Sequence, residues 1–92
     1  MSAHLRMYTR MVFGFEHTIR RAAGRWDAPT PCGEWDVRQV TGHTVAVVSN
    51  VAARAGIGAQ LDQFGDVAEI AGTDPLASFR AARDRYLLAT DR

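Results

Sequence analysis

The sequence has no lysine, a single cysteine and no long apolar run. A lone cysteine, Cys32, cannot form a disulfide within the chain and suits a reducing compartment, so we expect a cytoplasmic protein. Apolar runs of a few residues cannot cross a membrane, and Arg6 and Arg10 interrupt any signal-peptide core. A length of 92 residues predicts one domain, spanning residues 1–92.

The sequence also lacks a surplus of either charge. Eleven arginines stand against ten acidic residues, which leaves a net charge of +1. Binding to nucleic acid needs a concentrated basic face, so the composition does not indicate nucleic acid as a partner. Hydrophobic residues make up 47% and charged residues 23%, as in folded globular domains.

Three segments carry the three-and-four spacing of amphipathic helices. They run over residues 3–23, from Asp36 to about residue 55, and from Asp74 to near the end of the chain. Residues 56–73 contain four glycines and predict a loop with local helical structure. Three such helices around one core predict an all-α antiparallel bundle. The apolar stripes are Leu5, Tyr8, Val12, Phe15, Ile19 and Ala22, then Val37, Val40, Thr44, Val47, Val48 and Val51, then Leu76, Phe79, Ala82, Tyr86 and Leu87.

The second helix has the clearest start signal. Asp36 can cap it, and Gln39 follows at the spacing of a capping box. Gly56 marks the expected end of this helix, and Asp74 followed by Pro75 marks the start of the third.

The most specific pattern is WDAPTPCGEWDVRQVTGH over residues 26–43. A Pro-Thr-Pro-Cys loop precedes Trp35 and a capped helix, and His43 follows Trp35 by eight residues. This pattern resembles the N-terminal part of the DinB-like metal-binding bundles, in the actinobacterial branch related to mycothiol-dependent maleylpyruvate isomerase. The Asp74-Pro75-Leu76 start also resembles the third helix of that family.

The resemblance implies a four-helix bundle that holds one divalent metal, zinc or nickel, with His43 as its first protein ligand. It implies a metal-activated thiol, that of mycothiol, acting on a small electrophilic substrate. In the isomerase a carboxylate and a second histidine come from a later helix, so we expect the fourth helix to be missing and the domain to be incomplete at its C-terminus. Arg83 would contact an acidic part of the thiol cofactor.

Each of these assignments has an ordinary alternative. His43 lies at the flank of its helix's apolar stripe, where a histidine is usually half-buried and bonded to a carbonyl or carboxylate. Arg83 can equally snorkel or pair with an acidic residue. Cys32, at a helix N-terminus, is a candidate nucleophile. Further candidate metal ligands are His4, His17, Cys32, Glu16 and Glu34.

The alternative function is a non-catalytic, truncated helical module. A three-helix domain would leave an apolar surface exposed, and such a surface tends to bind a partner. A homodimer could complete the bundle and bring two His43 side chains together. The sequence leaves open whether the chain is an enzyme.

Overall fold

The computed structural model describes residues 3–31 and 33–91, and these residues form four α-helices and no β-strand. The helices are α1 (Ala3–Arg21), α2 (Val37–Arg54), α3 (Val67–Ala71) and α4 (Pro75–Thr90). The predicted all-α fold is confirmed. The three predicted helices are α1, α2 and α4, and the five-residue α3 is the local helical structure expected within residues 56–73. That the fourth helix of the bundle is missing stays a prediction. None of the described helices is long and apolar enough to cross a membrane.

The helix ends follow the capping signals. The Asp36 carboxylate accepts the Gln39 N–H at 2.8 Å, and the Gln39 side-chain oxygen accepts the Asp36 N–H at 2.9 Å, so the capping box is present. At the other end of α2, Ile57 N–H donates to Ala52 O and Gly56 N–H donates to Ala53 O, which is a Schellman motif. Gly56 has φ +85°, a conformation that favours glycine.

The core lies where α1, α2 and α4 meet. Helix α2 packs against both α3 and α4, while α1 lies more against α4 than against α2. Each long helix contributes residues that are almost fully removed from solvent. They are Val12 and Ile19 of α1, Val45 and Val48 of α2, and Phe79, Ala82 and Tyr86 of α4.

The predicted buried face of α2 is largely wrong. Of its six residues only Val48 is buried, and the other five are half-buried. The reason is that α3 and α4 pack against a different side of α2 from the one that carries most of that stripe. Small residues on this side allow close packing. The residues buried instead are Thr41, Gly42, Val45, Ala46, Ser49 and Ala52.

Gly42 lets α3 lie directly on α2. A Cβ atom at this position would stand 1.7 Å from the carbonyl oxygen of Val67, far inside contact distance. Only glycine therefore fits where the first residue of α3 crosses α2. This crossing holds the end of the preceding loop beside the next α2 residue, His43.

The loop between α1 and α2 folds back onto the start of α2. Val37 N–H donates to Ala28 O at 3.0 Å, and Arg38 N–H donates to Trp26 O at 2.8 Å. The Trp26 ring packs against the core. These contacts place Trp35 at the N-terminal end of α2, within reach of His43.

Candidate functional site

His43 lies half-buried on α2 between two aromatic rings. The centroid of its imidazole is 5.0 Å from that of Trp35 and 5.4 Å from that of Phe64, with interplanar angles of 39° and 44°. Trp35 is the residue before the helix cap, and Phe64 lies in the loop before α3. Phe64 is itself 73% exposed, so its ring lies at the protein surface.

One ring nitrogen of His43 is committed to the loop. Nδ1 lies 2.6 Å from the carbonyl oxygen of Gln63. A carbonyl can only accept, so Nδ1 carries the proton and the neutral ring leaves a lone pair on Nε2. Nε2 has no hydrogen-bond partner among the described residues, and none of their buried side-chain nitrogen or oxygen atoms is left unpaired, so Nε2 reaches solvent.

Two α2 side chains, His43 and Asn50, hold the loop in place. They are seven residues apart and therefore lie on one face of the helix. Besides His43, the Asn50 side chain donates to Leu61 O at 2.9 Å and accepts Leu61 N–H at 2.7 Å. No pattern in the sequence predicts this role of Asn50. Contacts to a backbone carbonyl leave no trace in a sequence pattern, so Gln63 and Phe64 could not be predicted as neighbours of His43.

Arg83 forms ion pairs instead of facing an open cavity. Its Nη1 donates to both carboxylate oxygens of Glu16 at 2.7 Å, and its Nε and Nη2 donate to Asp84 at 3.1 and 3.0 Å. Arg80 also donates to Glu16, at 3.0 Å. The Arg83 hydrogen bond, with that of Arg80 and the charges of both, holds the pKa of Glu16 below its ordinary value although burial opposes this. The ordinary alternative, a pair with an acid, is therefore what the structure has, and the assignment to a cofactor stays a prediction.

The other candidate ligands do not gather around His43. His4, His17 and Glu34 are exposed, and Glu16 is engaged by two arginines. Cys32, candidate nucleophile and ligand, lies outside the described residues. Within the described ranges, no three His, Cys, Asp or Glu side chains come together in a way that could hold a metal ion.

Of the comparisons with known proteins, one gives a match. Neither the curated proteins nor the solved structures include a match to the chain. A family model described as the mycothiol maleylpyruvate isomerase N-terminal domain matches residues 16–91. The match includes α2 with His43, α3 and α4, and the C-terminal part of α1.

Proposed function

The chain belongs to the mycothiol maleylpyruvate isomerase N-terminal domain family, and we propose that it is a divalent-metal-binding domain related to mycothiol-dependent isomerases and transferases. In this proposal Nε2 of His43 is a ligand to zinc or nickel. The observation that carries it is the hydrogen bond from Nδ1 to Gln63 O, because it fixes the tautomer that offers Nε2. Metal-binding histidines commonly use the second ring nitrogen in this way.

The described side chains form only part of a donor set. A catalytic zinc takes three protein ligands and an open position, whereas His43 provides one. No second His, Cys, Asp or Glu of the described ranges joins it in a group of three. This arrangement fits a site shared with a second polypeptide segment, either another copy of this chain or a partner helix, better than a closed site within one chain.

The thiol cofactor and the substrate are part of the same proposal. The family's name includes mycothiol and an isomerase, and we extend both to this chain as a small-molecule cofactor and a small-molecule substrate. Arg83 would reach an acidic group of such a cofactor only by exchanging its contacts with Glu16.

Calorimetric titration with zinc and with nickel tests the metal proposal. We expect saturable binding by the wild type and by His17→Ala, whose side chain is exposed on α1, and none by His43→Ala. His43→Asn serves as a second variant, because its amide can still donate a hydrogen bond while it offers no imidazole. Equal binding by wild type and both His43 variants would end the proposal.

One observation favours the second candidate, a helical module that associates with itself. Helix α1 exposes four large apolar side chains that its own partners leave uncovered. They are Met7, Met11, Phe13 and Phe15. Met7, Met11 and Phe15 follow one another at four-residue steps and so share one face of α1. Such an exposed apolar face on a small domain often binds a partner.

Size-exclusion chromatography with light scattering measures this association directly. Self-association predicts the mass of a dimer, and Met11→Gln with Phe15→Gln should return the mass of a monomer. Arg20→Gln, also exposed on α1, is the matched control and should leave the dimer intact. A monomeric mass for the wild type at high concentration, with and without zinc, would contradict the second candidate.

A further inference from the structure

A cleft of about 460 Å³ lies between α1, α2 and the loop that precedes α3. Tyr8 of α1 and Arg54 of α2 line it on one side, and Leu61 and Asp62 of the loop line it on the other. Arg54 follows His43 by eleven residues, which corresponds to about 16 Å along a helix axis. The Arg54 end of the cleft therefore lies apart from His43, although Gln63, whose carbonyl accepts from His43 Nδ1, also lines the cleft.

The loop wall of this cleft is fixed by hydrogen bonds. Both polar groups of the Asn50 amide are used on the backbone of Leu61, at 2.7 and 2.9 Å. A binding site whose walls are already held in place loses less free energy to ordering when a ligand enters. The cleft thus has the preformed shape that small-molecule sites usually show.

Two polar groups on the other wall have no protein partner. Within the described part of the chain, neither the Arg54 guanidinium nor the Tyr8 hydroxyl makes a hydrogen bond or an ion pair. By contrast, the Arg83 and Arg80 guanidinium groups are both bound to Glu16.

The Tyr8 hydroxyl is in a protonation state that allows it to donate a hydrogen bond. Burial and the neighbouring Tyr86 raise the pKa of Tyr8, while the positive charge of Arg54 acts against this rise. Tyr8 therefore stays protonated at neutral pH and can donate its hydrogen. A tilted ring contact with Tyr86, 5.7 Å between ring centroids, holds the phenol in position.

We propose that this cleft binds the oxyanion group of a small molecule, a carboxylate or a phosphate, between the Arg54 guanidinium and the Tyr8 hydroxyl. A planar guanidinium with several donors and a hydroxyl donor match the oxygens of such a group. Asp62 lines the same cleft, and its Oδ1 accepts the Phe64 N–H at 3.0 Å. Its negative charge disfavours ligands with a second anionic group on that side. The proposal does not require His43 to bind a metal.

Titration with acetate and, separately, with inorganic phosphate tests the proposal at constant ionic strength. Amide NMR shifts are followed at Val51, Leu61 and Gln63 on metal-free protein. We expect saturable shifts at these residues with at least one of the two anions, and the tighter of the two identifies the chemical source of the oxyanion. Arg54→Gln should weaken binding about tenfold, as expected for the loss of a charged hydrogen bond.

Three further variants make the test specific. Tyr8→Phe keeps the ring and loses the hydroxyl, so binding should weaken several-fold. Asp62→Asn removes the opposing charge, so binding should become tighter, a result that a merely destabilised variant would not give. Arg20→Gln lies twelve residues from Tyr8, about 18 Å along α1, and should bind as the wild type does. Shifts that never saturate with either anion, or equal affinities for Arg54→Gln and Arg20→Gln, would overturn the proposal.

Discussion

His43 uses its two ring nitrogens for different purposes. Nδ1 holds the loop through Gln63 O, and Nε2 is left toward solvent with its lone pair. The structural role and the proposed ligand role therefore do not compete, because each needs a different atom. Removing the imidazole removes both the hydrogen bond to the loop and the proposed metal ligand. His43→Asn separates the two, because its amide can still donate a hydrogen bond.

Gly42, beside His43, gives the sharpest stability prediction for a single residue. Gly42→Ala would place a methyl group 1.7 Å from Val67 O, so α3 or α2 must move. We expect the free energy of unfolding to fall by about 2–3 kcal/mol, the range of overpacked cores. Denaturant unfolding followed by circular dichroism measures this change.

Gly14→Ala is the matched control for that measurement. Gly14 is also inside a helix, and a Cβ there would meet nothing within 4 Å. The same substitution should raise the free energy of unfolding by about 0.5–1 kcal/mol, because alanine is the better helix former. A stable Gly42→Ala protein with an unchanged midpoint would show that α3 does not rest on α2 as described.

Among the secondary-structure elements, the helix ends and the apolar face of α4 were predictable, whereas the packing face of α2 was not. Asp36 with Gln39, and Asp74 with Pro75, act within a few residues of chain, so their capping roles could be read from the sequence. The buried face of α2 depends on which helices lie against it, and valines at regular spacing do not carry that information. Small residues such as Gly42 mark the actual contact.

The same distinction explains the candidate site. The spacing of Trp35 and His43 and the likeness of residues 26–43 to a known pattern pointed to His43, and the structure brings these two rings together. The loop residues that complete its surroundings come from tertiary contacts. A pair between Arg83 and an acidic residue was one of the sequence-based alternatives, but the partner, Glu16, lies 67 residues away in sequence and could only be found in the fold.

Glu16 joins α1 to α4 and makes this junction sensitive to pH. Its pKa is lowered in the folded protein from an ordinary value of 4.5, chiefly by the Arg83 hydrogen bond. A lowered folded pKa means that the stabilisation is present above pH 4.5 and is lost as the pH falls through the lower folded value. We therefore expect Glu16→Gln to lower the free energy of unfolding by about 1 kcal/mol at neutral pH and by much less in acid.

Thermal unfolding across an acid series checks this prediction. Glu34→Gln is the control, because Glu34 is exposed, and its profile should follow that of the wild type. If Glu16→Gln were as destabilising at low pH as at neutral pH, the ion pairs with Arg80 and Arg83 would not be the source of the effect.

The whole molecule combines a closed core with an uncovered α1 surface. Core residues from α1, α2 and α4 pack together, yet α1 exposes two methionines and two phenylalanines. The proposed metal-binding role of His43 and the uncovered apolar surface point in the same direction, since a second polypeptide segment would complete both. We therefore expect zinc to increase the fraction of dimer in the wild type and to leave His43→Ala unchanged, as measured by light scattering.

The most direct test of the account concerns the His43 imidazole itself. Long-range proton–nitrogen NMR of the histidine rings reports which nitrogen carries the proton and which one responds to zinc. The account predicts a protonated Nδ1 on His43, and a zinc-induced shift of its Nε2 that His17 does not share. A proton on Nε2 in the free protein, or no response of the His43 ring to stoichiometric zinc, would contradict it.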